Sequence, residues 1–338
     1  MIRLFSRSSV RRGAAALAGG LVVGILAPDA QAAPVYTVQV TQNADLGTIT
    51  SAASGDTVFR VDPTSGAVTT ISGTATRSSS GTARATVTVS CAASVAGDCT
   101  NNVNIRLGAV GSASGRARTL SRITFTVGTA QLAGGPGLPG SGSFTIGPIG
   151  PNSSKTFFVG ADMGIGGDDS GLATGMAESD FFAYAAESPT TPTSGGVGRF
   201  TATILRSIAI SKTSDLVFGR VAKPQSGNGT VTIDATTGVR SLSGVEGLDT
   251  PTPSRAAFNV TGEGGQTFSV TVPASFTMNG PAAMVVTTTS SVGATATLSS
   301  TLGSAGSLVV GVGGSAPINA STLNGDYSGS FTVTVAYN

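Results

Sequence analysis

Apolar residues alternate with small polar ones along much of the chain. Val231 and Ile233, Phe258 and Val260, Phe268, Val270 and Val272, and Phe331, Val333, Val335 and Tyr337 each stand two apart, with Thr, Ser, Asn or Ala between them. A period of two is that of a β-strand with one face buried and the other wet. Val and Thr, stiff at χ1, favour that extended backbone. Gly, Pro, Asn and Asp punctuate the runs every 8–12 residues or so, as a sandwich requires. No helical spacing follows residue 33. The pattern predicts an all-β protein built from antiparallel Ig-like sandwiches. It also predicts that Phe331, Val333, Val335 and Tyr337 form a C-terminal strand facing inward within its own domain, with Thr332 and Thr334 facing water.

The first segment has a different pattern. Met1–Arg12 is basic and has no acid, Gly13–Ala27 is apolar, and Ala30-Gln31-Ala32 is a small-residue cleavage site. These are the three parts of a secretory signal, and the apolar run is short for a membrane span of about 20 residues. Residues 1–32 are therefore expected to be a signal peptide, with signal peptidase as a partner during export. The mature chain is expected to carry no integral membrane span and to reach the periplasm, the outer surface or the medium. Cys91 and Cys99, eight apart in an exported chain, are expected to form a disulfide closing a hairpin; a two-thiol metal site would lack ligands.

The mature region reads as one domain written twice. Val61-Asp62-Pro63-Thr64-Ser65-Gly66 parallels Ile233-Asp234-Ala235-Thr236-Thr237-Gly238, an apolar strand end followed by Asp and a turn ending in Gly. Thr156–Ile165 parallels Ser307–Ile318, and Gly198–Ile204 parallels Gly329–Val335, which pairs Phe200 with Phe331. The expected division is residues 33–205 for the first sandwich and 206–338 for the second. The surplus of the first copy, Ala130–Pro151 and Gly166–Gly195, is rich in Gly, Pro and Ser and reads as surface loops.

The second copy carries Leu216-Val217-Phe218-Gly219, then Gly229–Ile233, then Ala256–Gly262, and ends Gly325-Asp326-Tyr327-Ser328-Gly329-Ser330-Phe331-Thr332-Val333-Thr334-Val335-Ala336-Tyr337. In these motifs it resembles a domain-of-unknown-function family of exported Gram-negative bacterial proteins. That resemblance implies a fold and a location but no mechanism. The alternating end with penultimate Tyr337 also resembles that of fimbrial, pilin-like subunits of chaperone–usher systems. It implies self-association or surface assembly partners. Only Ala33–Val35 precede the first repeat's own strand, so no strand-donating extension is expected.

Composition narrows the chemistry. The sequence has no His, so Ser-His-Asp and Cys-His catalysis and imidazole metal sites are excluded. Charged residues are 11 % of the chain, against roughly a quarter in ordinary domains. The formal charge of +2 is owed to the four arginines of the signal segment, and the rest is slightly acidic. A nucleic-acid partner is not expected. Asp162, Asp168 and Asp169 lie in the densest acidic stretch and are the candidate metal ligands, for Ca²⁺ if any; solvated turns are the simpler reading, and no cofactor is expected. Arg106, Arg116, Arg118 and Arg122 read as solvated strand faces. No catalytic residue is assigned. The sequence points to an exported, non-enzymatic structural or adhesive surface protein; the alternative is a secreted module capturing a small ligand or glycan in the loops of the first repeat.

Overall fold

The computed structural model describes residues 33–338; residues 1–32, the expected signal peptide, lie outside the described residues. Among the described residues the chain is β throughout, with one 3₁₀ turn at Asp168–Ser170. Alternation translates directly into burial. Along Ala85–Ala92, Ala85, Val87, Val89 and Cys91 are buried while Thr86, Thr88 and Ser90 are half-buried.

Two strand arrays are built to one plan. In the first half, a sheet runs Val35–Gln42, Ala85–Ala92, Ser153–Ile165, Thr57–Val61, Val68–Ser72, with Ser121–Val127 also on Ser153–Ile165. In the second half the order is Ala209–Ser214, Ala256–Glu263, Ala305–Asn319, Asn228–Ile233, Arg240–Ser243, with Met284–Ser290 on Ala305–Asn319. Position by position these are the same sheet.

The turn motif is the same too. Asp62 Oδ1 accepts the amides of Thr64 and Ser65 at 2.8 and 2.7 Å; Asp234 Oδ1 accepts those of Thr236 and Thr237 at 2.9 and 2.6 Å. Gly66 and Gly238 take the left-handed conformation, φ +74° and +76°, at little cost only without a Cβ. Arg84 and Arg255 then donate to the matching turn carbonyls of Pro63 and Ala235.

The second sheets differ. In the first half the order is Thr76–Arg77, Ala44–Thr50, Gly195–Leu205, Gly175–Glu187, Val103–Ser114, Phe144–Ile146, Leu132–Gly134. The second half holds two separate pieces: Arg220–Ala222 with Glu246–Leu248, and Thr295–Thr297, Thr267–Thr271, Thr334–Tyr337. Arg220–Ala222 takes the place of Ala44–Thr50. Thr334–Tyr337 takes the place of Gly175–Glu187, because each follows the long strand of the first sheet and pairs antiparallel with the inner strand beside it.

Two expectations are corrected here. Gly198–Ile204 and Gly329–Val335 are not equivalent, so Phe200 and Phe331 do not share a position. The surplus of the first half is only in part surface loop: Gly175–Glu187 is a central strand with Phe181 fully buried, and Phe144, Ile146 and Ile149 are core residues. The alternation Ala177, Ser179, Phe181, Ala183 is present in the sequence, but its small residues weaken the apolar signal.

The cores follow the sheets. The first half has one continuous core that includes Phe59, Phe125, Phe157, Phe181 and Phe200. The second has two separate clusters, one around Val260, Phe268 and Val310, the other around Val231, Val286 and Ala316.

Candidate functional site

What separates the two pieces of the second half's divided sheet is one absent strand. In the first half Gly195–Leu205 fills that slot. It lies parallel to Ala44–Thr50, with Ile204 beside Ile49, and antiparallel to Gly175–Glu187, with Phe200 opposite Ser179. Phe200, Ala202 and Ile204 point into the core and are almost wholly buried. They join the two sheets' inner faces into the single core, Phe200 meeting Phe181 edge-on at 5.7 Å.

The second half has nothing in this position and opens there into a groove of about 1080 Å³. Leu216, Phe218 and Val221 line one wall, and Phe276, Met278 and Phe331 line the other parts. All six are only half-buried, whereas Leu46 and Ile49 on the corresponding wall of the first half are fully covered. Phe331 sits among Phe276 and Phe258, with ring centroids 5.0 and 6.3 Å apart. Arg220–Ala222 pairs only with Glu246–Leu248, and Thr334–Tyr337 only with Thr267–Thr271. Each therefore has one edge with no strand partner. Val333 is buried, Val335 and Tyr337 are half-buried, and Thr332, Thr334 and Ala336 are exposed. The C-terminal segment thus turns its apolar side inward, but the strand itself is only Thr334–Tyr337, shorter than the expected Phe331–Tyr337, with Phe331 and Val333 in the irregular stretch before it.

The far end of that segment is anchored. Tyr337 Oη donates to the Arg206 carbonyl at 3.0 Å and accepts from the Glu263 amide at 2.6 Å. Burial, reinforced by the Glu263 carboxylate, holds its phenol above the ordinary pKa. Glu263, wholly buried, accepts from the Arg206 amide at 3.1 Å and from the Gly303 amide. One residue on, Ser207 donates its amide and hydroxyl to Asp168 of the first half. The two residues joining the halves are therefore held from both sides.

Asp168 does more than hold Ser207. It also accepts from Ser51 Oγ at 2.8 Å and pairs with Arg116. Burial opposes its ionisation, but hydrogen bonds from Arg116, Ser207 and Ser51 outweigh this and leave its pKa below the ordinary value. Arg116 is completely buried, which corrects the expectation of a solvated strand face; a lone arginine in a run of four gives no sign of burial. Asp162 makes a two-bond pair with Arg60, both contacts 2.7 Å. Asp169 accepts from the Gly55 amide at 3.0 Å. The structure thus does not gather Asp162, Asp168 and Asp169 into one ligand set, and among the described residues no group of three or more His, Cys, Asp or Glu could hold a metal ion. Cys91 and Cys99 are joined by a disulfide. It does not close a hairpin: Ala85–Ala92 and Val103–Ser114 belong to different sheets, so the bridge pins the crossing between them.

Residues 208–337, the half that holds the groove, match the family described as a domain of unknown function (DUF4402). No curated protein matches the chain. Among solved structures it is similar to the CsuC–CsuE chaperone–tip adhesion subunit pre-assembly complex from archaic chaperone–usher Csu pili of Acinetobacter baumannii. The identity there is 11 %, over 89 % of this chain and 99 % of that one, with a TM-score of 0.24. It is also similar to a chaperone–tip adhesin complex of CFA/I fimbriae biogenesis, at 8 % identity over 89 % and 98 % of the two chains and a TM-score of 0.27. Likenesses this distant carry no inference about the groove. Among the described residues no helix is long and apolar enough to cross a membrane.

Proposed function

We propose that this chain is an exported, non-enzymatic structural or adhesive subunit of a cell-surface assembly, and that its second half joins a partner by accepting a β-strand. The single observation that carries the reading is the gap between Arg220–Ala222 and Thr334–Tyr337, where the first half of the same chain has Gly195–Leu205. An open groove with a backbone edge on each side is the geometry of strand addition. Main-chain hydrogen bonds supply affinity, and pockets for alternate side chains supply specificity. An unpaired apolar edge is otherwise a hazard that folded proteins cover. The ligand-capturing alternative is less well supported, because the segments it would use are strands and core in the first half.

The test is the size of the surface-sheared species. Wild-type protein is expected in a high-molecular-weight fraction, and Val221→Arg, which places a charge on the groove wall, is expected to release a folded monomer. Wild-type protein that is itself monomeric at the surface would overturn the reading.

A further inference from the structure

The outer face of the first half's second sheet carries side chains that neither the core nor the joint at Arg206 uses. Strand register sets them side by side. Tyr184 stands opposite Arg106, Phe182 opposite Gly108, and Thr145 opposite Asn104. Their chain neighbours Phe181, Ala183, Ile105 and Phe144 are buried, so alternation turns these residues outward. We infer that this face binds a saccharide that carries a carboxylate, with Phe182 and Tyr184 as the shelf for a sugar ring and Arg106 as the partner of the acid group. The inference goes beyond the strand-accepting reading of the second half and does not rest on it.

The shelf comes from packing. Phe182 and Tyr184 stack with ring centroids 4.6 Å apart and planes 30° from parallel, and both are only half-buried. A Cβ on Gly108 would fall 2.5 Å from the tip of the Phe182 ring. The ring therefore lies across the neighbouring strand, in space that any other residue there would fill. Val197, opposite Phe182 on the other side, is exposed and widens the apolar area. Such an area matches the C–H side of a pyranose ring. Charge then selects among sugars. Arg106 is exposed, with its guanidinium 5.4 Å from the Phe182 centroid. Glu178 and Asp180, the acids on the strand of the two rings, both pair with Arg199, at 3.2 and 3.3 Å. Arg106 has no acid partner among the described residues. A free guanidinium holds a carboxylate through two parallel hydrogen bonds. Hydroxyl recognition lies beside it. Asn104, about 7 Å from Arg106 along the strand, lines a pocket of about 250 Å³ with Ser143, Thr145 and Thr191. Asn104 accepts from Thr145 Oγ1 at 2.9 Å and donates to the Thr190 carbonyl at 3.0 Å, which ties the loop 188–194 down as the rim. A few convergent amide and hydroxyl groups next to an apolar surface orient a small polar ligand. A purely apolar ligand would leave these groups and Arg106 without partners.

The test is binding of the purified exported protein to oligosaccharides ending in sialic or uronic acids, each presented beside its carboxyl-reduced form. The acidic forms should bind at least tenfold more tightly than the reduced ones, and the difference should shrink as salt rises, because an exposed charge pair is screened. Arg106→Gln should erase the difference between the two forms. Tyr184→Ala should weaken both. Lys155→Gln, which removes the same charge from a strand of the first sheet, should bind as the wild type does. All three side chains lie outside the core, and an unchanged unfolding midpoint checks that each variant is folded. Equal binding of acidic and reduced sugars by the wild type would overturn the role of Arg106. Binding to none of these sugars, or to a polyglutamate peptide in preference to all of them, would overturn the saccharide reading. Because the readout is binding by the single chain, no outcome depends on whether the second half accepts a strand.

Discussion

The most constrained side chains in the described protein are charged ones at a joint. Arg116 is fully buried against a partly exposed Asp168, and its Nη2 has no hydrogen-bond partner. Ser51 Oγ and the Leu172 carbonyl also accept from Arg116, but Asp168 is its charged partner, and removing that charge leaves a buried cation without a counter-ion. Asp168→Asn should therefore destabilise the first half by about 2–4 kcal/mol, somewhat under the fully buried range because Asp168 is a quarter exposed. Its pH dependence has a definite sign. Folding lowers the pKa of Asp168, so its contribution is complete above the ordinary carboxylate value of about 4 and is lost as pH falls below that toward the folded value. Urea titrations from pH 6 to pH 2 should show the wild type losing stability faster than Asp168→Asn below about pH 4. Parallel curves would mean that the pair contributes no linkage.

At the scale of single strands, Phe200 and Phe331 separate a closed slot from an open one. Phe200→Ala removes a ring from a sealed core and should cost about 3–5 kcal/mol. Phe331→Ala removes a half-exposed ring from a groove wall and should cost about 1–2 kcal/mol, because part of its surface is already in water. Chemical denaturation of the two variants checks the order; equal losses would mean that the groove is sealed in solution. This contrast was only partly legible in the sequence. The period of two at Phe331–Tyr337 was plain, as were the Asp62 and Asp234 turns, because both depend on neighbouring residues. The assignment of Phe331 to the slot of Phe200 failed because Gly-x-Phe-Thr-x-Thr-[Ile/Val] describes any half-buried strand. Nothing local says which neighbour a strand will choose. The groove was illegible for the same reason: an absent strand leaves no residues to read, and it emerges only when the pairing of both halves is known.

For the molecule as a whole, one half with a continuous core and one with a divided core should not melt together. The second half should unfold first, in a separate calorimetric transition, with its amides exchanging through sub-global opening while those of Ala85–Ala92 stay protected. A single transition, with equal protection in both halves, would show that the joint at Arg206 and Ser207 couples them into one cooperative unit. The joint has the contacts for some coupling, since Asp168, Glu263 and Tyr337 meet at those two residues.

If the slot accepts a strand as proposed, the missing strand also constrains the symmetry of an assembly that contains this chain. A slot that takes a strand in one direction presents two different surfaces at each contact, one lending and one receiving. Such a contact is heterologous: it closes into a two-fold pair only where two copies lend and receive reciprocally, and otherwise continues head to tail. The first half, already filled by its own Gly195–Leu205, offers no second slot of this kind. On the proposed reading each copy therefore receives once, and an assembly built without reciprocal exchange has a head and a tail.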